Sequence, residues 1–179
     1  MSNAVYLRSG KLFFAVAILA IGIIHIATRN FPTGLMPVSA IVAGRSALVY
    51  ISGIALVVAG LLIMVKKYSY YGALLTGTIW LVLLLLLDLP LLIRHLHDPG
   101  PWTTTFETAG IFSGALLLMG KTISSKLTLI GRYLFLLALI VFGVQHYLYL
   151  NYITTLIPGW MPGHLFWAWL VMIAFLQRH

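Results

Sequence analysis

The chain has no cysteine and only three acidic residues in 179. Without cysteine there is no disulfide framework, no thiol redox couple, and no thiolate to hold zinc or an iron–sulfur cluster. Charge of either sign is also scarce. Asp, Glu, Lys and Arg make up 8% of the residues, against about a quarter in an ordinary soluble domain. Disorder is excluded by the same figure, because disordered chains are polar and highly charged. A polytopic membrane protein is the class that remains.

What the chain has in quantity is apolar residues, 61% of the total, gathered into six runs bounded by charge, Pro or Gly. They are Lys11–Thr28, Ser46–Val65, Gly72–Ile93, Thr103–Met119, Leu127–Leu150 and Pro162–Leu176. A helix needs about 20 residues to cross the hydrocarbon core, and the first, second, third and fifth runs are long enough. The fourth is shorter and opens with Thr103, Thr104 and Thr105. The sixth stops where the chain stops. Barrel strands would alternate in polarity over about 10 residues, and these runs do not. The expected fold is an all-α, polytopic transmembrane helical bundle of about six spans.

Six spans sort the charges. Arg8, Lys11, Lys66, Lys67, Lys121, Lys126, Arg132 and Arg178 fall on one side. Arg29, Arg45 and Arg94 fall on the other, with Asp88, Asp98 and Glu107. The positive-inside rule then makes both termini cytoplasmic in a multi-pass protein of a bacterial inner membrane. The net charge of +8 reads as a collar facing anionic lipid, the expected partner. It calls for no nucleic acid. Arg8 and Lys11 precede an apolar run as in a signal peptide, but Ile26-Ala27-Thr28-Arg29-Asn30 is a poor cleavage site. The expectation is an uncleaved first helix.

Two stretches echo each other. Gly22-Ile-Ile-His25 is followed by Phe31, Leu35 and Pro37; Gly143-Val-Gln-His146 is followed at equal offsets by Tyr152, Leu156 and Pro158. Tyr50-Ile-Ser-Gly-Ile-Ala55 likewise parallels Trp169-Leu-Val-Met-Ile-Ala174. The echo suggests duplication, with a four-helix unit over residues 1–121 and a two-helix partial repeat over residues 122–179. The short second copy leaves two readings open: a truncated chain, or a half-unit completed by another membrane subunit or by a homo-oligomer.

Gly143-Val-Gln-His146, Ile157-Pro-Gly-Trp-Met-Pro-Gly-His164-Leu-Phe-Trp-Ala168, Leu87-Asp88-Leu-Pro90 and His97-Asp-Pro-Gly-Pro-Trp102-Thr-Thr-Thr-Phe-Glu107 together resemble the DoxX-like integral membrane family. The resemblance implies a four-helix membrane bundle. It also implies kinship with subunits linked to thiosulfate:quinone oxidoreduction, methylamine utilisation and oxidative-stress complexes. It carries no agreed catalytic residues. Asp88 departs from the histidine expected before Leu-Pro, and the chain ends early.

Ionisable groups inside a membrane are costly, so their positions are informative. His25 lies about 6 Å below the end of the first helix and Asp88 about 9 Å below the end of the third, at 1.5 Å per residue. Alternating topology brings His25, Asp88, Glu107, His146 and His164 to one end of the bundle. The expected site is a polar pocket lined by these five and rimmed by Arg94, Trp102, Trp160 and Trp167. Carboxylate beside imidazole suits proton exchange with a quinone-like head group. The structural alternative is that Asp88 pairs with Arg94 or a histidine only to neutralise itself. His25 and His146 could act as axial ligands of one haem, but one histidine per helix with no further signature argues against it. His95-Leu-His97-Asp98 does not put both rings on one helix face, so it reads as a solvated loop and no metal site is expected. Gly110 and Gly114 read as intramolecular packing. Pro158 to His164 cannot be helical throughout and could form a re-entrant lid, partnered by the loop Asn30–Gly44. The leading function is a membrane subunit of a redox or quinone-linked system. The rival is a scaffold, or a carrier of small hydrophobic molecules, and whether the protein is an enzyme stays open.

Overall fold

The computed structural model describes residues 3–32, 35, 36, 38 and 44–177. Pro37 of the first echo, Arg178 and His179 lie outside them. The described residues form seven helices and no strand: α1 (Asn3–Thr28), α2 (Arg45–Met64), α3 (Ser69–Arg94), α4 (Pro99–Ile123), α5 (Ser125–Leu148), α6 (Leu150–Leu156) and α7 (His164–Leu176). By length and composition α1, α2, α3 and α5 can each cross a membrane. At 25 residues α4 has the length, but its first turns carry the threonines and Glu107.

Helices α1 to α4 share one core. Ile18 of α1, Val49, Leu56 and Ala59 of α2, and Trp80 of α3 are buried together, with Phe112 of α4 against them. Phe31 and Met36, from the α1–α2 connection, fold back into the same core. Trp80, mid-span by sequence, is fully buried there. The helices approach closely where side chains are absent. A β-carbon on Gly22 would stand 2.7 Å from Gly53 O and from Val57 N. Of the Gly110–Gly114 pair, Gly114 receives the Phe14 ring while Gly110 faces open space. Outside the core, Phe13 is 76% and Leu86 68% exposed, as surfaces bathed by lipid would be.

Helix α3 is not uniform. Leu84–Asp88 form a turn of π-helix, in which Leu89 N–H reaches Leu84 O. The cause is Pro90, whose ring lacks an N–H and crowds the carbonyl four residues back. A wide turn absorbs the clash without breaking the helix.

The α3–α4 turn is locked. Asp98 Oδ1 accepts from Gly100 N–H at 3.0 Å, and Trp102 Nε1–H donates to Leu96 O at 2.9 Å. Helix α5 then lies along α4. Gln145 Nε2–H donates to Pro99 O at 3.0 Å, and Thr103 Oγ1–H donates to Gln145 Oε1 at 3.3 Å. Because Gln145 serves both bonds, Gln145→Leu should lower stability by about 1–2 kcal/mol. The thermal midpoint in detergent checks this.

Helix α7 differs from the sixth expected span. It has 13 residues, about 20 Å of helix against about 30 Å of hydrocarbon. Phe175 meets Phe142 and His146 with ring centroids 5.8 and 5.1 Å apart, and Tyr147 meets Trp169 at 6.4 Å. Helix α7 therefore runs beside only the last turns of α5. The short helix α6, in a stretch read from sequence as connection, carries the chain between them.

Candidate functional site

The end of the bundle where α1 and α3 finish and α2 and α4 begin holds the acidic residues. Asp88 closes the π-turn of α3 and is fully buried. Neither carboxylate oxygen has a hydrogen-bond partner. Arg94, the expected rim cation, is exposed and does not supply one, nor does any histidine.

What faces Asp88 is helix α4. Thr105 Oγ1–H donates to the Asp88 backbone carbonyl at 3.3 Å. The hydroxyls of Thr104 and Thr108 act on the carboxylate, yet neither completes a well-formed hydrogen bond to it, and Thr108 Oγ1 is itself buried without a partner. Glu107, half-buried on the same helix, is near enough for its charge to interact with that of Asp88. Three buried oxygens thus stand with open valences at one place: both of Asp88 and the one of Thr108. Buried polar atoms are nearly always satisfied, and an unsatisfied one costs about 1–3 kcal/mol. The arrangement suits a group that brings its own hydrogen-bond donors and acceptors.

The other expected members lie in separate surroundings. His25 is fully buried on α1. Its Nδ1–H donates to Ile21 O at 2.7 Å, its Nε2 is 3.1 Å from Met36 Sδ, and its ring stands edge-on to Phe31 at 5.5 Å. Arg45 lies over that Phe31 ring and donates to Asn30 Oδ1, tying the start of α2 to the end of α1. His146 is half-buried; its Nδ1–H donates to Phe142 O at 2.9 Å and its ring abuts Phe175. His25 and His146 have no neighbour in common among these contacts. His164 is half-buried at the start of α7. Trp160 is 81% exposed, and Trp167 Nε1–H donates to Pro162 O at 3.0 Å, so both belong to the α6–α7 turn and α7. Trp102 alone of the rim aromatics sits beside the acidic end, stacked on Phe106 at 5.8 Å. It also lines a cleft of about 420 Å³ with His97, Asp98, Val144, Gln145 and Tyr149.

Thr105 and Thr108 were not among the residues expected at the site. Their signal is positional: with Pro101 they recur at the three- and four-residue spacing of one helix face, and all three are buried.

None of the protein-family models, curated proteins or solved structures compared with this chain matches it.

Proposed function

We propose that the protein is a DoxX-like integral membrane subunit of a redox or quinone-linked system. In this reading Asp88 and Glu107, with Thr104 and Thr108, form the site that hydrogen-bonds a quinone-like head group and exchanges protons with it. The observation that carries this is the buried Asp88 carboxylate with both oxygens unpartnered. A carboxylate placed only for structure would be paired with a cation or held by well-formed hydrogen bonds, and Asp88 has only the loosely placed hydroxyls of Thr104 and Thr108 near it. Electrons pass to a redox partner subunit, and the protons are the business of this chain.

The same proposal includes the topology. Helices α1 to α5 cross an inner membrane with the N terminus cytoplasmic and the acidic end outward, as the charge sorting favours. Helix α7, at 13 residues, covers part of a sixth crossing. Helices α1 to α4 are the four-helix unit, and α5 to α7 the partial second copy. The rival reading, a carrier of small hydrophobic molecules, is favoured by one feature: the Trp102 cleft, whose size falls in the range of ligand pockets.

In membranes carrying the protein, Asp88→Asn should lower a quinol-dependent signal by about a hundredfold or more, the scale of lost acid–base catalysis. Glu107→Gln should lower it less, and His146→Ala should leave it intact because that ring packs on α7. Unchanged activity in Asp88→Asn at equal expression would contradict the proposal.

A further inference from the structure

At the end of the bundle opposite Asp88, a cavity of about 490 Å³ opens between the start of α1 and the end of α2. Arg8, Lys11 and Lys66 line it, together with Leu7, Leu12 and Met64. Cations brought from both sides of one cavity repel each other unless an anion lies among them. The three carboxylate side chains, all among the described residues, cannot serve: Asp88, Asp98 and Glu107 lie at the other end. That end is about 30 Å away along α1, at 1.5 Å per residue. The charges of Arg8 and Lys66 are therefore balanced by no acidic side chain of this chain.

The cavity is graded from polar to apolar. Arg8, Lys11 and Leu12 stand three and four residues apart, the spacing of one helix face. Leu12 lies about 6 Å further into the apolar run than Arg8, and Met64 is the last residue of α2, just inside Lys66. Both apolar side chains are exposed. Positive charge at the rim with open hydrocarbon wall below it complements a molecule whose phosphate sits above acyl chains. Lys67 takes no part. It does not line the cavity, and its Nζ lies over the Tyr68 ring at 5.3 Å. A diffuse collar of charge would treat these adjacent lysines alike, and the structure separates them.

We propose that Arg8, Lys11 and Lys66 hold the phosphate of one anionic phospholipid, with its acyl chains against Leu12 and Met64. Basic pockets between membrane helices bind phospholipid head groups on this principle. The guanidinium of Arg8 offers a planar fork to two phosphate oxygens, and the lysines add point charges. The lipid bridges α1 and α2 at the end where no acidic side chain can. This site rests on α1 and α2 crossing a membrane, and not on the quinone-linked reading of Asp88.

The test is native mass spectrometry of the full-length protein in mild detergent, stripped of lipid and titrated with phosphatidylglycerol. One phosphatidylglycerol per chain should bind ahead of any further adducts. Phosphatidylcholine, whose phosphate carries its own cation, should bind about tenfold more weakly or less, and inorganic phosphate should not displace the lipid. Arg8→Gln and Lys66→Gln should each weaken binding about fivefold. Both side chains are exposed, so these variants keep the fold. Lys67→Gln and Lys126→Gln, which change the net charge equally, should leave binding intact. Equal losses in all four variants would mean a diffuse collar and overturn the site. So would equal binding of the two lipids, displacement by inorganic phosphate, or no retained lipid.

Discussion

Asp88→Leu is expected to raise the stability of the protein while abolishing its quinol-dependent activity. Leucine has the branched outline of aspartate, with two methyl groups where the carboxylate has oxygens. Those oxygens are fully buried and unpartnered in the native protein, so their removal relieves an unsatisfied polar group. The relief is about 1–3 kcal/mol, and the larger methyls give part of it back through tighter packing. A net gain of about 1–2 kcal/mol is expected on those two terms, read as a higher thermal midpoint in detergent. Asp88→Asn keeps a buried polar group and should show no such gain. The two variants separate function from structure: both lose activity, and only leucine gains stability. A lower midpoint for Asp88→Leu would mean that the carboxylate supports the fold.

Gly22→Ala is expected to have the largest destabilising effect of any single methyl group on the α1–α2 contact. The new β-carbon would stand 2.7 Å from Gly53 O and from Val57 N, and 3.0 Å from Leu56 Cβ. Two of these are backbone atoms of a helix and cannot rotate away. The helices must separate, losing the close approach that small residues provide inside membranes. A loss of about 3 kcal/mol is expected, at the upper end for overpacked cores. Because His25 Cβ sits 3.0 Å from where a β-carbon on Gly53 would lie, the same separation should loosen the His25–Met36 contact. Gly110→Ala is the control. Nothing lies within 4 Å of its β-carbon position, so alanine there should be neutral or gain up to about 1 kcal/mol of helix propensity. Comparing the thermal midpoints of the two variants checks both statements.

Composition pointed to a membrane protein, and the unbroken apolar runs pointed to helices and not barrel strands. The locations of Asp88 and Glu107 at one end followed from counting spans. The finer geometry was not legible for identifiable reasons. The sequence marked the π-turn only through Pro90, and a proline within an apolar run does not say whether the helix will break, kink or widen. Gly143-Val-Gln-His146 drew attention to the histidine, yet the residue that ties α4 to α5 is its neighbour Gln145. Adjacent residues on a helix point about 100° apart, so Gln145 meets α4 while His146 meets α7. Only the packing of α5 decides which faces what. The expected five-residue pocket did not allow for this lateral spread: α5 packs along α4, and α7 packs on α5 and α6. Thr105 was read only as part of the polar opening of the fourth run, and Thr108 was not singled out, because threonine is ordinary in a membrane helix until an unpaired carboxylate is found opposite it.

The most direct test of the account is photolabelling of membranes carrying the protein with an azido-quinone, followed by mapping of the labelled peptide. The expected label falls between Asp88 and Phe112, is displaced by excess unlabelled quinone, and is lost in Asp88→Leu although that variant is folded. Label that resists displacement, persists in Asp88→Leu, or lies only on α5 to α7 would contradict a quinone-linked site at Asp88.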